Sequence, residues 1–153
     1  MLAGVGACLE AGAALAADKE PYKDFVKAGQ FDIVRDELKD AIINRGYVID
    51  FIGRFGDMLH RTAGVGGPGE ESPYISAEYF LFCPVKFAHE GVAASPFYIA
   101  NCPIALYVFE LRAEAGKIHV GYRVPTPSPV KALQAVNAKL ELVLEEIAKE
   151  TIK

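Results

Sequence analysis

The sequence predicts an α+β fold with two layers, in which a mostly antiparallel sheet carries helices packed on one face. Three observations predict it. Runs rich in β-branched and aromatic residues alternate with helical segments along the chain. The last two β-rich runs are joined by the turn at 114–116, which makes them an antiparallel hairpin. The longest helical segments each have one apolar side, as expected of helices that cover one face of a sheet.

Five strands are predicted where runs rich in β-branched and aromatic residues are bounded by turn residues. The first strand is followed by Gly29, the second follows Gly46, and the third is followed by Cys83. The hairpin supplies the last two, and the proline-rich connector 125–129 cannot continue the sheet because proline lacks an amide donor. The predicted strands are 22–28, 47–52, 75–82, 104–111 and 117–124.

Four helices are predicted between and after these strands. Apolar residues three and four positions apart indicate the first, and Gly46 is a residue type that commonly ends a helix. Pro84 favours the start of the third helix. A regular apolar side from Val130 to Ile147 indicates the last one. The predicted helices are 31–45, 55–63, 85–94 and 130–151.

Composition limits the class of protein. With 153 residues the chain is expected to form one domain, and its 52% apolar content excludes a disordered chain. The net charge is −4 and the basic residues are scattered, so we expect no nucleic-acid partner. Beyond the N-terminus no apolar run is long enough to cross a bilayer, so we expect no membrane span. No hydrolase motif is present, and no robust catalytic motif is found.

The N-terminus predicts export. Residues 1–17 are small and apolar apart from Glu10, and they end in an Ala-x-Ala pattern before Asp18. We interpret 1–17 as a signal peptide and 18–153 as a single α+β domain in the periplasm or otherwise exported. The alternative is a short N-terminal helix. The Gly-rich segment 64–73 is expected to be a flexible loop, either a lid or an insertion.

Two Cys-Pro dipeptides with a histidine between them mark a candidate site. Cys83 and Cys102 each lie at the edge of an apolar run, and His89 follows on the helix after Cys83. Thiolates and imidazoles bind haem or soft metals, so His89 and Cys83 are the predicted metal ligands. Three interpretations of the two cysteines remain open: a disulfide in an oxidising compartment, thiolate ligands, and buried inert thiols.

Other side chains are weaker candidates. Met58 is a possible thioether ligand and His60 a possible partner of an anionic group such as a haem propionate, although the two point in different directions on a helix. His119 alternates with apolar residues in a strand and is interpreted as a surface or cross-strand residue. Arg123 is interpreted mainly as an exposed basic residue.

Five short segments carry a family resemblance: Gly46-Tyr47, Phe82-Cys83-Pro84, Ala88-His89, Asn101-Cys102-Pro103 and the hairpin 116–123. They resemble the domain of unknown function 302 family, and the segment 55–62 resembles its longer, exported bacterial members. The resemblance extends from Tyr22 to the C-terminus. It implies a compact α+β fold that commonly pairs into dimers, with no settled activity.

The leading functional prediction is an exported small binding protein that holds haem or a soft metal ion, with an electron-transfer role and a redox partner. The ligand would lie between the His89 helix and the strand ends of Cys83 and Cys102, and Met58 or His60 would close the cleft. One alternative is a cofactor-free homodimeric structural or interaction module. Another is a thiol-based sulfur carrier or oxidoreductase. The predicted apolar walls of a haem pocket are Phe80, Phe82, Phe87, Phe97 and Tyr98.

Overall fold

The computed structural model describes residues 20–65 and 71–153. The predicted signal peptide and the centre of the Gly-rich loop lie outside the described residues. Two short 3₁₀ helices, Pro96–Asn101 and Arg112–Glu114, accompany the main elements. The main elements are β1 (Tyr22–Ala28), α1 (Phe31–Ile43), β2 (Ile49–Gly53), α2 (Phe55–Arg61), β3 (Tyr74–Phe82), α3 (Val85–Ala94), β4 (Ile104–Leu111), β5 (Lys117–Arg123) and α4 (Lys131–Thr151).

The sheet has five strands in the order β1-β5-β4-β3-β2, and every neighbouring pair is antiparallel. The chain therefore forms an antiparallel sheet with helices packed on it, and the predicted α+β class is confirmed. β1 and β2 are the two edge strands.

One face of the sheet holds the hydrophobic core. Helices α1 and α4 pack against this face and against each other, and α3 packs on α4. Alternate residues of the central strands point into this layer because successive side chains of a strand leave on opposite faces. The fully buried side chains include Phe80, Phe82, Leu106, Val108, Ile118, Val120 and Tyr122 from the sheet and Leu38, Ile42, Leu140, Leu144 and Ile147 from the helices.

The short helix α2 lies on the other face. It packs against β3, and its first residue, Phe55, contacts Tyr74 edge to face with ring centroids 5.8 Å apart. A Cβ at Gly56 would lie 2.9 Å from the backbone nitrogen of Ala77, so only glycine permits this close approach. Because α2 has seven residues and sits at one end of the sheet, most of this second face stays uncovered by helices. We call it the open face.

Candidate functional site

The two cysteines of the Cys-Pro dipeptides are joined to each other. Cys83 and Cys102 form a disulfide, with their Cα atoms 5.7 Å apart. This agrees with the first of the three interpretations of the cysteines. A bonded sulfur is neither a thiolate ligand nor a nucleophile, so in this state neither cysteine is available for metal binding or sulfur transfer.

His89 lies on the surface of α3. Its side chain is exposed, and so are those of Val85 and Val92, which share its side of the helix. The face of α3 that packs inward carries Phe87 and Gly91 instead. His89 therefore faces solvent rather than an apolar cleft.

Met58 and His60 lie on α2, on the side of the sheet opposite α3. Met58 is exposed, and a ring nitrogen of His60, Nε2, is 3.3 Å from the backbone oxygen of Tyr74. The sheet thus separates these two residues from His89, and the predicted cleft that would unite all five candidates is not formed. That part of the sequence-based prediction is corrected.

The aromatic residues proposed as haem-pocket walls have other roles. Phe80, Phe82, Phe87 and Tyr98 are packed in the hydrophobic core, whereas Phe97 is 83% exposed. The first four belong to one packed core cluster, and Phe97 does not belong to it.

The structure does form a concavity, on the open face. It encloses about 520 Å³ between α2 and the exposed surface of β1, β5, β4 and β3. This volume lies within the range of small-molecule sites. Six of its lining residues are aromatic, and an aspartate, a glutamate and a histidine are among the others: Tyr22, Asp24, Phe55, Tyr74, Ala77, Glu78, Tyr79, Tyr107, Val108, Phe109 and His119.

Phe109 is the centre of the aromatic wall. Its ring stacks on the His119 imidazole at a centroid distance of 4.5 Å and an interplanar angle of 6°. Tyr107 stacks on it from the same strand at 5.7 Å, and Tyr74 meets it edge to face at 5.5 Å. Such offset and edge contacts hold the rings in fixed orientations in the wall of the concavity.

His119 is held between two carboxylates. Its Nδ1 is 2.7 Å from Oδ2 of Asp24, and its Nε2 is 3.2 Å from Oε2 of Glu114. Carboxylate oxygens only accept, so both contacts are hydrogen bonds when both ring nitrogens carry protons. The His119 side chain is 13% exposed, whereas that of Glu114 is 40% exposed. The hydrogen bond from His119, followed by contact with Lys117, lowers the pKa of Glu114 below its ordinary value.

Tyr107 closes the side of the concavity next to β1. Its hydroxyl donates to the backbone oxygen of Lys23 at 3.1 Å. A Cβ at Gly121 would collide with both that oxygen and the Tyr107 hydroxyl, so glycine is needed there. Burial, and then the charge of Asp24, raises the pKa of Tyr107. The tyrosine is therefore a neutral wall of the site at physiological pH.

Sequence reasoning missed this site. The sequence-based prediction placed His119 in a strand, at a surface or cross-strand position, but did not identify Asp24 and Glu114 as its partners. A usable signal exists in the alternation of β4, where Leu106 and Val108 alternate with Tyr107 and Phe109. A strand with a solvated face normally alternates with polar residues, so aromatic residues at the outward positions indicate a surface that contacts something.

The described residues show neither a cluster of metal ligands nor a membrane-spanning helix. In ranges 20–65 and 71–153, no group of three or more His, Cys, Asp or Glu side chains is placed to hold a metal ion. None of the helices in those ranges is both long and apolar enough to cross a membrane.

Comparison with known proteins supports the fold. No protein-family model and no curated protein matches the sequence. A solved structure does match: the uncharacterized conserved protein DUF302 from Bacillus stearothermophilus superposes with a TM-score of 0.71 at 14% identity, covering 87% of this chain and 99% of that chain. The chain has a DUF302-like fold. At this identity the likeness concerns fold alone, so it assigns no activity.

Proposed function

We propose that the protein binds a small, flat organic molecule in the concavity of its open face. The observation that carries this proposal is the aromatic wall centred on Phe109, beside the polar pair Asp24 and His119. Small-molecule sites typically combine an apolar, largely preformed cavity with a few polar groups that fix orientation. Both parts are present here on rigid strands.

The polar part of the site can orient a ligand. In this structure both ring nitrogens of His119 have carboxylate partners, Asp24 and Glu114, so the imidazole is held in one orientation. Stacked rings offer flat apolar surfaces, and stacking of one aromatic ring on another adds about 0.5–1.5 kcal/mol beyond burial of area.

Replacement of Phe109 tests the proposal. Phe109→Ala should weaken binding of 2-naphthamide, a flat neutral probe, about ten-fold or more in calorimetric titrations, because it removes the central ring of the wall. The matched control is Phe97→Ala, which removes an exposed phenylalanine far from the concavity. Equal affinities of the two variants and the original protein would contradict the proposal.

Export to an oxidising compartment remains a proposal, supported by the Cys83–Cys102 disulfide. Disulfides persist in the periplasm and outside the cell, whereas cytosolic thiols are mostly kept reduced. The corresponding measurement is a count of free thiols in protein purified without reductant. We expect that neither Cys83 nor Cys102 reacts with a thiol reagent.

The haem or soft-metal prediction and its redox partner also remain proposals, now with fewer ligands. With both sulfurs bonded, His89 is the candidate ligand left on α3, and its exposure would allow a ligand to approach from solvent. The absorption spectrum of protein reconstituted with haem tests this directly. A Soret band that His89→Ala abolishes is the expected result, and a spectrum without such a band contradicts it.

A further inference from the structure

We infer that the ligand of the open-face site is a small aromatic carboxylic acid, whose carboxylate takes the place of the Glu114 carboxylate beside His119. This inference rests on the proposed function and names its ligand class. Its basis is that a side-chain carboxylate of the protein already lies beside His119, one of the residues that line the concavity. Glu114 lies 3.2 Å from Nε2 of His119 and 3.4 Å from Nζ of Lys117.

The His119 donor is held in a fixed direction. Asp24 accepts from Nδ1 at 2.7 Å on one side of the ring, and the ring plane lies parallel to that of Phe109. A histidine oriented in this way by a carboxylate presents its other nitrogen at a defined position. Because His119 lines the concavity and stacks on Phe109, we expect that a ligand whose ring lies against the aromatic wall can reach Nε2 with an attached carboxylate.

Glu114 is well suited to be displaced. It belongs to the three-residue 3₁₀ helix Arg112–Glu114 between β4 and β5, and its side chain is 40% exposed. Exposed ion pairs of this kind contribute little to stability, so release of Glu114 into water costs little. A ligand carboxylate would restore both interactions while the ring adds apolar contact.

The donors also define what the ligand must carry. Protonated His119 and Lys117 both donate and have no acceptor atom, so they match an anion and not an amine or a neutral donor. Asp24, Glu114, His119 and Lys117 together carry no net charge when the histidine is protonated. A ligand carboxylate that replaces Glu114 therefore leaves these donors with the same charge balance.

The experiment compares 2-naphthoate with 2-naphthamide, which share a ring system but differ in charge. Calorimetric titrations use the full chain and its Glu114→Ala variant. In the unsubstituted protein, naphthoate should bind about ten-fold more tightly than naphthamide, because a charge-assisted hydrogen bond is the stronger one. Glu114→Ala should tighten naphthoate binding further and leave naphthamide unchanged. Glu114→Gln, which has a side chain of nearly equal size, should also tighten naphthoate binding. It replaces the alanine variant in the titrations if that variant does not fold.

The matched control is Glu37→Ala. Glu37 is a surface glutamate paired with a lysine, Lys27, at 2.7 Å, and it is 43% exposed, close to the value for Glu114. It lies on α1, away from the open face, so its removal should change neither affinity.

Two failures are distinguishable. Equal affinity for both probes, unchanged by Glu114→Ala but weakened by Phe109→Ala, would overturn the carboxylate inference and retain the proposed function. If neither probe binds to the original protein or to the Glu114 variants, the proposed function itself is overturned.

Discussion

At the scale of single residues, two tyrosines on opposite faces of the sheet have hydroxyl groups with different surroundings. The hydroxyl of Tyr107 donates to Lys23 across β5, whereas the hydroxyl of Tyr122 is buried in the core with no hydrogen-bond partner among the described residues. A buried polar group without a partner costs free energy, and a paired one contributes a net gain. The two residues thus allow a matched comparison.

Tyr107→Phe should lower the free energy of unfolding by about 1 kcal/mol, because it removes a hydrogen bond and leaves the backbone oxygen of Lys23 without this donor. Tyr122→Phe should leave the free energy of unfolding unchanged or raise it, since it removes a buried hydroxyl that lacks a partner. Urea denaturation of both variants is the measurement. A larger loss of stability in Tyr122→Phe than in Tyr107→Phe would contradict this account.

The partners of His119 explain why the site was not predictable from local patterns. Glu114 is five residues away in sequence, but Asp24 is 95 residues away and comes next to it only because β1 pairs with β5. Strand alternation places His119 and Phe109 on outward positions, yet the pairing of β4 with β5 decides that they stack. Single-sequence reasoning gives the face of a strand and not its neighbours.

At the scale of elements, the disulfide is the main covalent link between distant segments. It joins the end of β3 to the segment before β4, across a separation of 19 residues that includes α3. Closing a loop of this length restricts the unfolded chain, and loop-entropy estimates give about 3 kcal/mol of stabilisation.

Cys83→Ser should therefore lower the free energy of unfolding by about 3 kcal/mol in urea denaturation under non-reducing conditions. Reductant should lower the stability of the original protein by a similar amount and should not affect the variant further, which provides the control. If the original protein and Cys83→Ser have equal stability without reductant, the disulfide does not contribute as described.

Sequence patterns predicted most elements and their order. The predicted bounds of the first strand, the third helix and the fourth strand agree with β1, α3 and β4, because turn residues bound each segment. The 3₁₀ helix Pro96–Asn101 was missed, since six residues are too few to give a helical period. Nothing local predicts that α2 crosses to the open face. That placement depends on the close contact between Gly56 and Ala77.

At the scale of the whole molecule, the two edges of the sheet differ in how they are protected. The outer edge strand β1 carries charged residues at Lys23, Asp24 and Lys27, which discourage strand pairing. The opposite edge, β2, has Asp50 as its one charged residue, and Phe51 and Ile52 are exposed there. We propose that the homodimer expected from the family resemblance forms through β2 of two copies.

Ile52→Lys should convert such a dimer to a monomer, because a charge on both copies opposes pairing of the two β2 edges. Light scattering coupled to size-exclusion chromatography measures the mass. The matched control is Val26→Lys on the β1 edge, which should leave the mass unchanged. A monomeric original protein, or a variant that stays dimeric, would contradict pairing through β2.

The central claim is that the open face binds a small flat ligand, and backbone amide chemical shifts test it most directly. Titration of the labelled protein with 2-naphthoate should shift the amides of Tyr79, Tyr107, Phe109 and His119, which surround the concavity. The amides of Val92 and Phe97, on the helix-covered side, should stay in place. Shifts confined to the surface around Val92 and Phe97, or no shifts at saturating ligand, would contradict the claim.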